Sequence, residues 1–111
     1  MIVEDETLIA LDLCGFLEAE GYQTTGPFSN VKAAIASLEE TPTHFAFLDV
    51  NLGNEGSSEP IAHSLRDRDI PFAFLTGYSQ IESEYFQTFS TAPRIAKPFR
   101  QNDIIEALRG L

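Results

Sequence analysis

Residues 44–53 read HFAFLDVNLG, a run of apolar residues that ends on a carboxylate, Asp49, and passes into a polar turn. Apolar residues at consecutive positions predict a strand over 45–49 that is covered on both faces. An ionised carboxylate is costly to bury unless it is paired, hydrogen-bonded or bound to metal. Asp49 therefore either marks the point where the chain reaches solvent or stands at the end of a buried strand for a chemical purpose.

The bulk composition is that of a globular chain with a strong acidic bias. The 111 residues are 43% hydrophobic and 22% charged, which suits one domain over residues 1–111. Seventeen acidic residues against seven Lys and Arg give a net charge of −10, which argues against a nucleic-acid groove. No apolar stretch is long enough to span a membrane, and no signal peptide opens the chain. The single cysteine, Cys14, fits a reducing compartment, so we expect a cytoplasmic protein with Cys14 packed on a helix.

Strand and helix patterns alternate along the chain. The predicted strands are residues 1–3, 22–25, 45–49, 70–76 and 94–96. The predicted helices are residues 7–20 before Gly21, 31–40 with Ser29 or Asn30 as the N-cap, 61–69, a short or irregular segment 79–89, and a terminal helix carrying Ile104, Ile105, Leu108 and Leu111 on one face. This alternation predicts an α/β fold with a doubly wound five-stranded parallel sheet; with the strand order 2-1-3-4-5 of flavodoxin-like proteins, the first, third, fourth and fifth strands are neighbours.

The residues that follow the predicted strands carry the chemistry, because ligands of such sheets bind at the carboxyl ends of the strands. These residues are Glu4, Asp5, Asp49, Thr76 and Lys97. Two carboxylates about 5 Å apart repel each other by roughly 3 kcal/mol at an effective dielectric constant of about 20, so three need a cation or a proton. Lys97 offsets one charge, and Mg²⁺, which prefers oxygen ligands, suits the rest. A metal, a lysine and a hydroxyl also meet the needs of phosphoryl transfer, in which a carboxylate can be the nucleophile.

Four ordered motifs, IVEDE (2–6), FLDVNLG (47–53), LTGY (75–78) and AKPF (96–99), resemble the receiver domains of response regulators in bacterial two-component systems. The resemblance covers essentially the whole chain. It implies that a sensor histidine kinase or a histidine phosphotransfer protein phosphorylates the chain, which then switches its interactions with a downstream protein. Such a domain promotes its own phosphorylation and dephosphorylation but turns over no metabolite.

The resemblance also implies a role for each site residue. Asp49 is the phosphoacceptor, Thr76 and Lys97 contact the phosphoryl group, and Mg²⁺ (or Mn²⁺) is held by Asp5, Asp49, Glu4 through water and the backbone carbonyl of Asn51. The Lys97-Pro98 peptide bond is cis in this family. The first strand, with three residues before the acids, is expected to be a truncated form of the family's strand.

The sequence departs from the family pattern at the residue that usually reports phosphorylation. Receivers carry an aromatic residue three positions before the lysine, whereas Arg94 stands there in this chain. The segment PFAFLTGY (71–78) resembles instead a branch of single-domain receivers with a PFxFATGY segment, with Leu75 in place of the usual alanine. Tyr78 is therefore the candidate replacement for the missing switch residue at Arg94.

Two other classes of function stay open at this point. A phosphohydrolase with an aspartate nucleophile needs that nucleophile after its first strand, and the order of the acids here argues against it. A degenerate receiver that only binds partners is disfavoured because every acidic and basic site residue is present. His44 and His63 lack metal-ligand spacing, and Tyr85, Phe86 and Phe89 suit the edge of the core.

Overall fold

The computed structural model describes residues 1–53, 56–77 and 87–110. The described residues form four strands, β1 (Ile2–Val3), β2 (Ala46–Asp49), β3 (Phe72–Thr76) and β4 (Arg94–Ala96). They also form four helices, α1 (Thr7–Ala19), α2 (Val31–Glu40), α3 (Glu59–Asp67) and α4 (Gln101–Arg109). None of these helices is both long and apolar enough to cross a lipid bilayer.

The four strands form one parallel sheet in the order β1-β2-β3-β4. The register pairs Val3 with Leu48, and Asp49 with Leu75. Because all four strands run in the same direction, their carboxyl ends meet at one edge of the sheet. These strands correspond to the predicted first, third, fourth and fifth strands, and their predicted neighbour relations are confirmed.

The sheet is covered on both faces, which explains the unbroken apolar runs of its central strands. Successive strand residues point to opposite faces, so that Leu48 and Phe74 pack with α2 and α3 on one side. Phe47 and Leu75 pack with α1 and α4 on the other side. The central strands are thereby held rigidly, and the residues at their carboxyl ends have fixed positions.

The predicted second strand, residues 22–25, is wrong as a regular strand. Residues 25–28 lie beside β1 instead: the Ile2 N–H donates to the Thr25 carbonyl (3.0 Å), the Phe28 N–H donates to Ile2 (2.9 Å), and one parallel bridge joins Val3 to Phe28. Gly26 has φ +101°, and a Cβ there would lie 2.6 Å from the Ile2 carbonyl oxygen, so the backbone leaves strand geometry at this point. The segment still fills the place beside β1 that the order 2-1-3-4-5 gives to the second strand.

The predicted helices are found with small differences at their ends. Gly21 (φ +93°) follows α1, and the side-chain oxygen of Asn30, not that of Ser29, accepts the Ala33 N–H (2.8 Å) as the cap of α2. α3 begins at Glu59, two residues before its predicted start, because Pro60 is accommodated in the first turn, where its missing N–H is not needed. Cys14 is buried on α1 as expected, and burial raises the pKa of its thiol.

The terminal region agrees with its predicted pattern in part. In α4, Ile104 and Ala107 are buried, whereas Ile105 and Leu108 are half-buried. Leu111 lies outside the described residues, as do residues 78–86, which include most of the predicted segment 79–89. Phe89 is buried against Phe72 and Phe74, at the place predicted for it in the core.

Candidate functional site

The side chains predicted to act together stand at one edge of the sheet. Glu4 and Asp5 follow β1, Asp49 is the last residue of β2, and Thr76 is the last residue of β3. Lys97 directly follows β4, and its backbone N–H donates to the Thr76 carbonyl (2.8 Å). The four chain segments are neighbours in the sheet, so residues up to 93 positions apart in sequence lie side by side.

Three carboxylates form the centre of this edge. Ligand oxygens of Glu4, Asp5 and Asp49 all lie within 4.8 Å of one another. Glu4 and Asp49 are buried, at 2% and 1% exposure, whereas Asp5 is exposed. The cluster is therefore an oxygen-rich site formed by two buried carboxylates and one carboxylate that is open to solvent.

The ammonium group of Lys97 is the counter-charge of the cluster. Its Nζ lies 3.2 Å from Glu4 Oε1 and 3.3 Å from Asp49 Oδ1, and its side chain is only 9% exposed. Burial alone would lower the pKa of Lys97, but the carboxylates of Asp49 and Glu4 outweigh that effect and raise it. Lys97 is accordingly held as a cation beside the candidate phosphoacceptor.

One lysine does not balance the charge of three carboxylates, and the pKa of Asp49 is raised as a result. Burial, together with side-chain hydrogen bonds to Glu4 and Asp5 and the charge of Glu4, raises the pKa of Asp49 to about 8, although Lys97 acts in the opposite direction. Without a further cation, Asp49 therefore takes up a proton near neutral pH. A divalent cation would replace that proton and leave the site, with three carboxylates and one ammonium, close to neutral.

The residues around the cluster fit a small hard cation such as Mg²⁺. Its preferred ligands are carboxylate, carbonyl and water oxygens, and it is usually held by one or two carboxylates while it keeps several waters. Gly53 (φ +62°) runs close to the exposed acid, and a Cβ there would lie 3.3 Å from Asp5 Oδ2. The absence of a side chain at Gly53 thus leaves room beside a candidate ligand on the open side of the site.

Asn51 and Thr76 lie at the rim of the site. Asn51 stands two residues after Asp49 in the loop that follows β2, and its side-chain oxygen accepts the Gly53 N–H (2.9 Å). This bond shapes the loop that passes Asp5. Thr76 is half-buried at the end of β3, one residue past the position paired with Asp49. Their proposed roles, a carbonyl ligand and a hydroxyl donor, stay predictions.

Of the two candidate switch residues, only Arg94 is among the described residues, and it is not part of the carboxylate cluster. Arg94 is the exposed first residue of β4, three residues before Lys97, and lines a surface cavity of about 720 Å³ together with Phe45 and Phe72. In the register of the sheet, Arg94 pairs with Phe74 of β3, one row before the row that contains Asp49. Tyr78 falls outside the described residues. The Lys97-Pro98 peptide bond is cis, as the family resemblance implied.

Sequence reasoning missed two residues of this edge. Glu6 Oε1 lies 3.3 Å from Lys97 Nζ, which makes Glu6 a third carboxylate partner of the lysine. The available signal was its place directly before α1, where serine, threonine, aspartate or asparagine would be the usual N-cap. Gly53 was noted only as part of a turn, because its approach to Asp5 depends on how two distant segments meet.

The two histidines take no part in the cluster. His44 is exposed, and His63 on α3 lies 3.6 Å from Glu59 Oε1 and packs edge-on against Phe89, with ring centroids 5.0 Å apart. The candidate chemistry therefore rests on carboxylates, an ammonium and a hydroxyl.

Comparisons with known proteins point to one family. The family model of the response regulator receiver domain matches residues 1–109. The transcriptional regulatory protein PdtaR of Mycobacterium tuberculosis is 28% identical over 109 residues, which are 97% of this chain and 53% of PdtaR, so the chain spans about half the length of this relative. The solution structure of SdrG from Sphingomonas melonis Fr1 is similar with a TM-score of 0.83 at 40% identity, covering 97% of this chain and 90% of SdrG. The BeF3-activated conformation of SdrG, from Pseudomonas melonis Fr1, gives a TM-score of 0.76 at 38% identity over the same shares.

Proposed function

Because the chain belongs to the response regulator receiver family, we propose that it accepts a phosphoryl group on Asp49 in the presence of Mg²⁺ and so relays a two-component signal. The observation that carries this proposal is the environment of Asp49. Its carboxylate ends a buried strand, lies within 4.8 Å of the carboxylates of Glu4 and Asp5, and contacts the Lys97 ammonium at 3.3 Å. A carboxylate that only marked the end of a strand would not be surrounded in this way.

The residues present would hold the metal with Asp5 and Asp49 as direct ligands, Glu4 acting through water and the Asn51 carbonyl as a further oxygen. When bound, Mg²⁺ (or Mn²⁺) supplies positive charge to the phosphoryl oxygens and keeps Asp49 ionised. Lys97, whose Nζ lies 3.3 Å from Asp49 Oδ1, would supply a second positive charge, and the Thr76 hydroxyl would donate to one phosphoryl oxygen. The chain thus provides charge neutralisation and positioning, which are the main requirements of phosphoryl transfer.

In the transfer step, one Asp49 carboxylate oxygen forms a bond to phosphorus. The bond between phosphorus and the leaving group of the donor breaks, and the leaving group keeps the electron pair. With a phosphohistidine donor whose second ring nitrogen is protonated, that bond is P–N and the imidazole departs as the neutral ring, so no oxidant or further reactant is required. The donor would be a sensor histidine kinase or a histidine phosphotransfer protein.

Phosphorylation would change the charge balance that holds the site together. The Asp49 carboxylate carries about one negative charge, and the acyl phosphate carries nearly two with three acceptor oxygens. Lys97 and Thr76 would respond to the new charge, because both stand at this edge of the sheet and carry hydrogen-bond donors. Their rearrangement would bias the surrounding loops between two states and so alter binding to a downstream protein. The description of SdrG in a BeF3-activated conformation supports such a response in a related chain.

The direct test is incubation with Mg²⁺ and acetyl phosphate, followed by intact-mass measurement. We expect a mass increase of one phosphoryl group that requires Mg²⁺ and is absent from Asp49→Asn. Steady release of phosphate from many phosphate esters would support a phosphohydrolase instead. Absence of any adduct in the folded, Mg²⁺-loaded protein would leave a module that only binds partners.

A further inference from the structure

Glu6 occupies the N-cap position of α1 but does not cap the helix. Its backbone is extended, with φ −83° and ψ 106°, and its side chain makes no hydrogen bond to the first-turn N–H groups. An N-cap side chain that accepts such a bond stabilises a helix. The Glu6 carboxylate instead reaches across to Lys97, 91 positions away in sequence.

Lys97 therefore has three carboxylate partners that differ sharply in exposure. Glu4 and Asp49 are buried and hold the ammonium from inside the site, at 3.2 and 3.3 Å. The Glu6 side chain is 59% exposed and holds the same nitrogen at 3.3 Å from the solvent side. The backbone N–H of Glu6 also donates to Glu4 Oε2 (3.2 Å), so the segment that carries Glu6 is fixed to the acid cluster.

We propose that Glu6 is a positioning residue that restrains the Lys97 ammonium at the mouth of the site and thereby slows phosphorylation of Asp49. This inference rests on the proposed function. Glu6 competes with an incoming phosphoryl group for Lys97, and its own charge repels anionic donors. Removal of the carboxylate leaves Lys97 held by Glu4 and Asp49, so the lysine keeps its place but gains a free side toward the phosphoryl group.

The size of the effect follows from the exposure of Glu6. An exposed ion pair contributes little, because water and salt screen it, and its loss corresponds to a change of about two- to fivefold in a rate. A buried partner such as Glu4 would have a larger and opposite effect, because its loss would disturb the metal site. Glu6 thus sets the rate without being required for the reaction.

The test compares rates of acetyl phosphate-dependent phosphorylation at saturating Mg²⁺, followed by intact mass. We expect Glu6→Gln, which keeps the shape and removes the charge, to be phosphorylated about two- to fivefold faster than the wild type. Glu6→Asp keeps the charge but is one carbon shorter and cannot reach Lys97 in the same way, so it should be accelerated as well. The matched control Glu39→Gln removes an exposed glutamate in the last turn of α2 and should not change the rate.

Each outcome separates a different explanation. Glu6→Gln could be phosphorylated faster than the wild type while Glu6→Asp has the wild-type rate. That result would mean that only the charge at position 6 matters, and it would overturn the positioning role. Equal rates for all variants, or a slower Glu6→Gln with unchanged Mg²⁺ affinity, would overturn the inference while leaving the proposed function intact. A wild type that forms no adduct would overturn the proposed function and this inference with it.

Discussion

Asp49 is a buried acid whose protonation should control the stability of the metal-free protein. Its folded-state pKa of about 8 lies above the unfolded value of about 3.8, so the folded protein binds the extra proton between these pH values. The stability that this proton provides is complete below about pH 4 and is lost as the pH rises through about 8. The metal-free wild type should therefore lose stability across this range relative to Asp49→Asn.

The measurement is urea unfolding in EDTA at pH 5 and pH 8. We expect the stability of Asp49→Asn relative to the wild type to increase by about 3 kcal/mol between the two pH values. The control Asp12→Asn removes an exposed acid on α1 and should track the wild type. A constant difference between Asp49→Asn and the wild type would mean that Asp49 is ionised throughout.

Lys97 should stabilise the folded protein because it neutralises two buried acids. Lys97→Met leaves Glu4 and Asp49 without their cation, and removing one partner of a buried ion pair costs roughly 3 kcal/mol. The matched control Lys32→Met removes an exposed lysine in the first turn of α2 and should be nearly neutral. Both are measured by urea unfolding at pH 8 in EDTA, and equal losses for the two variants would contradict the ion-pair geometry.

At the scale of single residues, the sequence predicted that Asp49 and Lys97 would meet at one edge of the sheet, and the structure brings them together there, whereas their roles stay predictions. Asp49 and Lys97 could be found because each follows an apolar strand, and parallel strands place such residues at a common edge. The contact of Glu6 with Lys97 could not, since it depends on the direction in which the first residues of α1 leave the sheet. The local sequence pattern predicts which residues stand at the edge of the sheet, but not which of their side-chain charged groups contact each other.

At the scale of elements, the loop after β2 leaves space beside the Asp5 carboxylate because it carries a glycine there. Gly53 and Gly56 both have positive φ, +62° and +85°, so alanine at either position strains the backbone by about 1 kcal/mol. Only at Gly53 would the new Cβ meet a neighbour, Asp5 Oδ2 at 3.3 Å. Gly53→Ala should therefore weaken Mg²⁺ binding roughly tenfold, the lower end of the effect of disturbing the surroundings of metal ligands.

The matched control for Gly53→Ala is Gly56→Ala, whose Cβ would have open space around it. We expect both variants to lose similar stability and only the first to lose Mg²⁺ affinity, as measured by calorimetric titration. Equal affinities for the two variants would show that Asp5 does not hold the metal at the position inferred from its distance to Gly53.

The elements themselves were predictable where a single physical signal dominates. The apolar run of β2 and the Asn30 cap of α2 follow from burial and from local hydrogen bonding. The second strand was mispredicted because Gly26 turns the backbone away from strand geometry between two hydrogen bonds to β1. The conformation of a segment that pairs through so few residues depends on the neighbouring strand more than on the segment's own sequence.

At the scale of the whole molecule, the alternation of strands and helices gathers charged side chains at the carboxyl ends of the parallel strands. Among the described residues, α2 and α3 cover one face of the sheet and α1 and α4 cover the other, so the proposed chemistry lies at the ends of the strands. The overall charge of −10 would disfavour anionic donors, and Lys97 together with the proposed Mg²⁺ would counter that charge at one edge. The positions of the acids along the chain predicted this edge, because parallel strands have one carboxyl edge only.

The most direct test of the account is to locate the phosphoryl group on the chain. Sodium borohydride reduces an aspartyl phosphate to homoserine, and tandem mass spectrometry of the digested protein then identifies the altered position. After treatment with Mg²⁺ and acetyl phosphate, we predict homoserine at Asp49 and at no other aspartate. Reduction at Asp5 or another acid, or a phosphoryl group on His44, His63 or a hydroxyl side chain, would contradict the central role of Asp49.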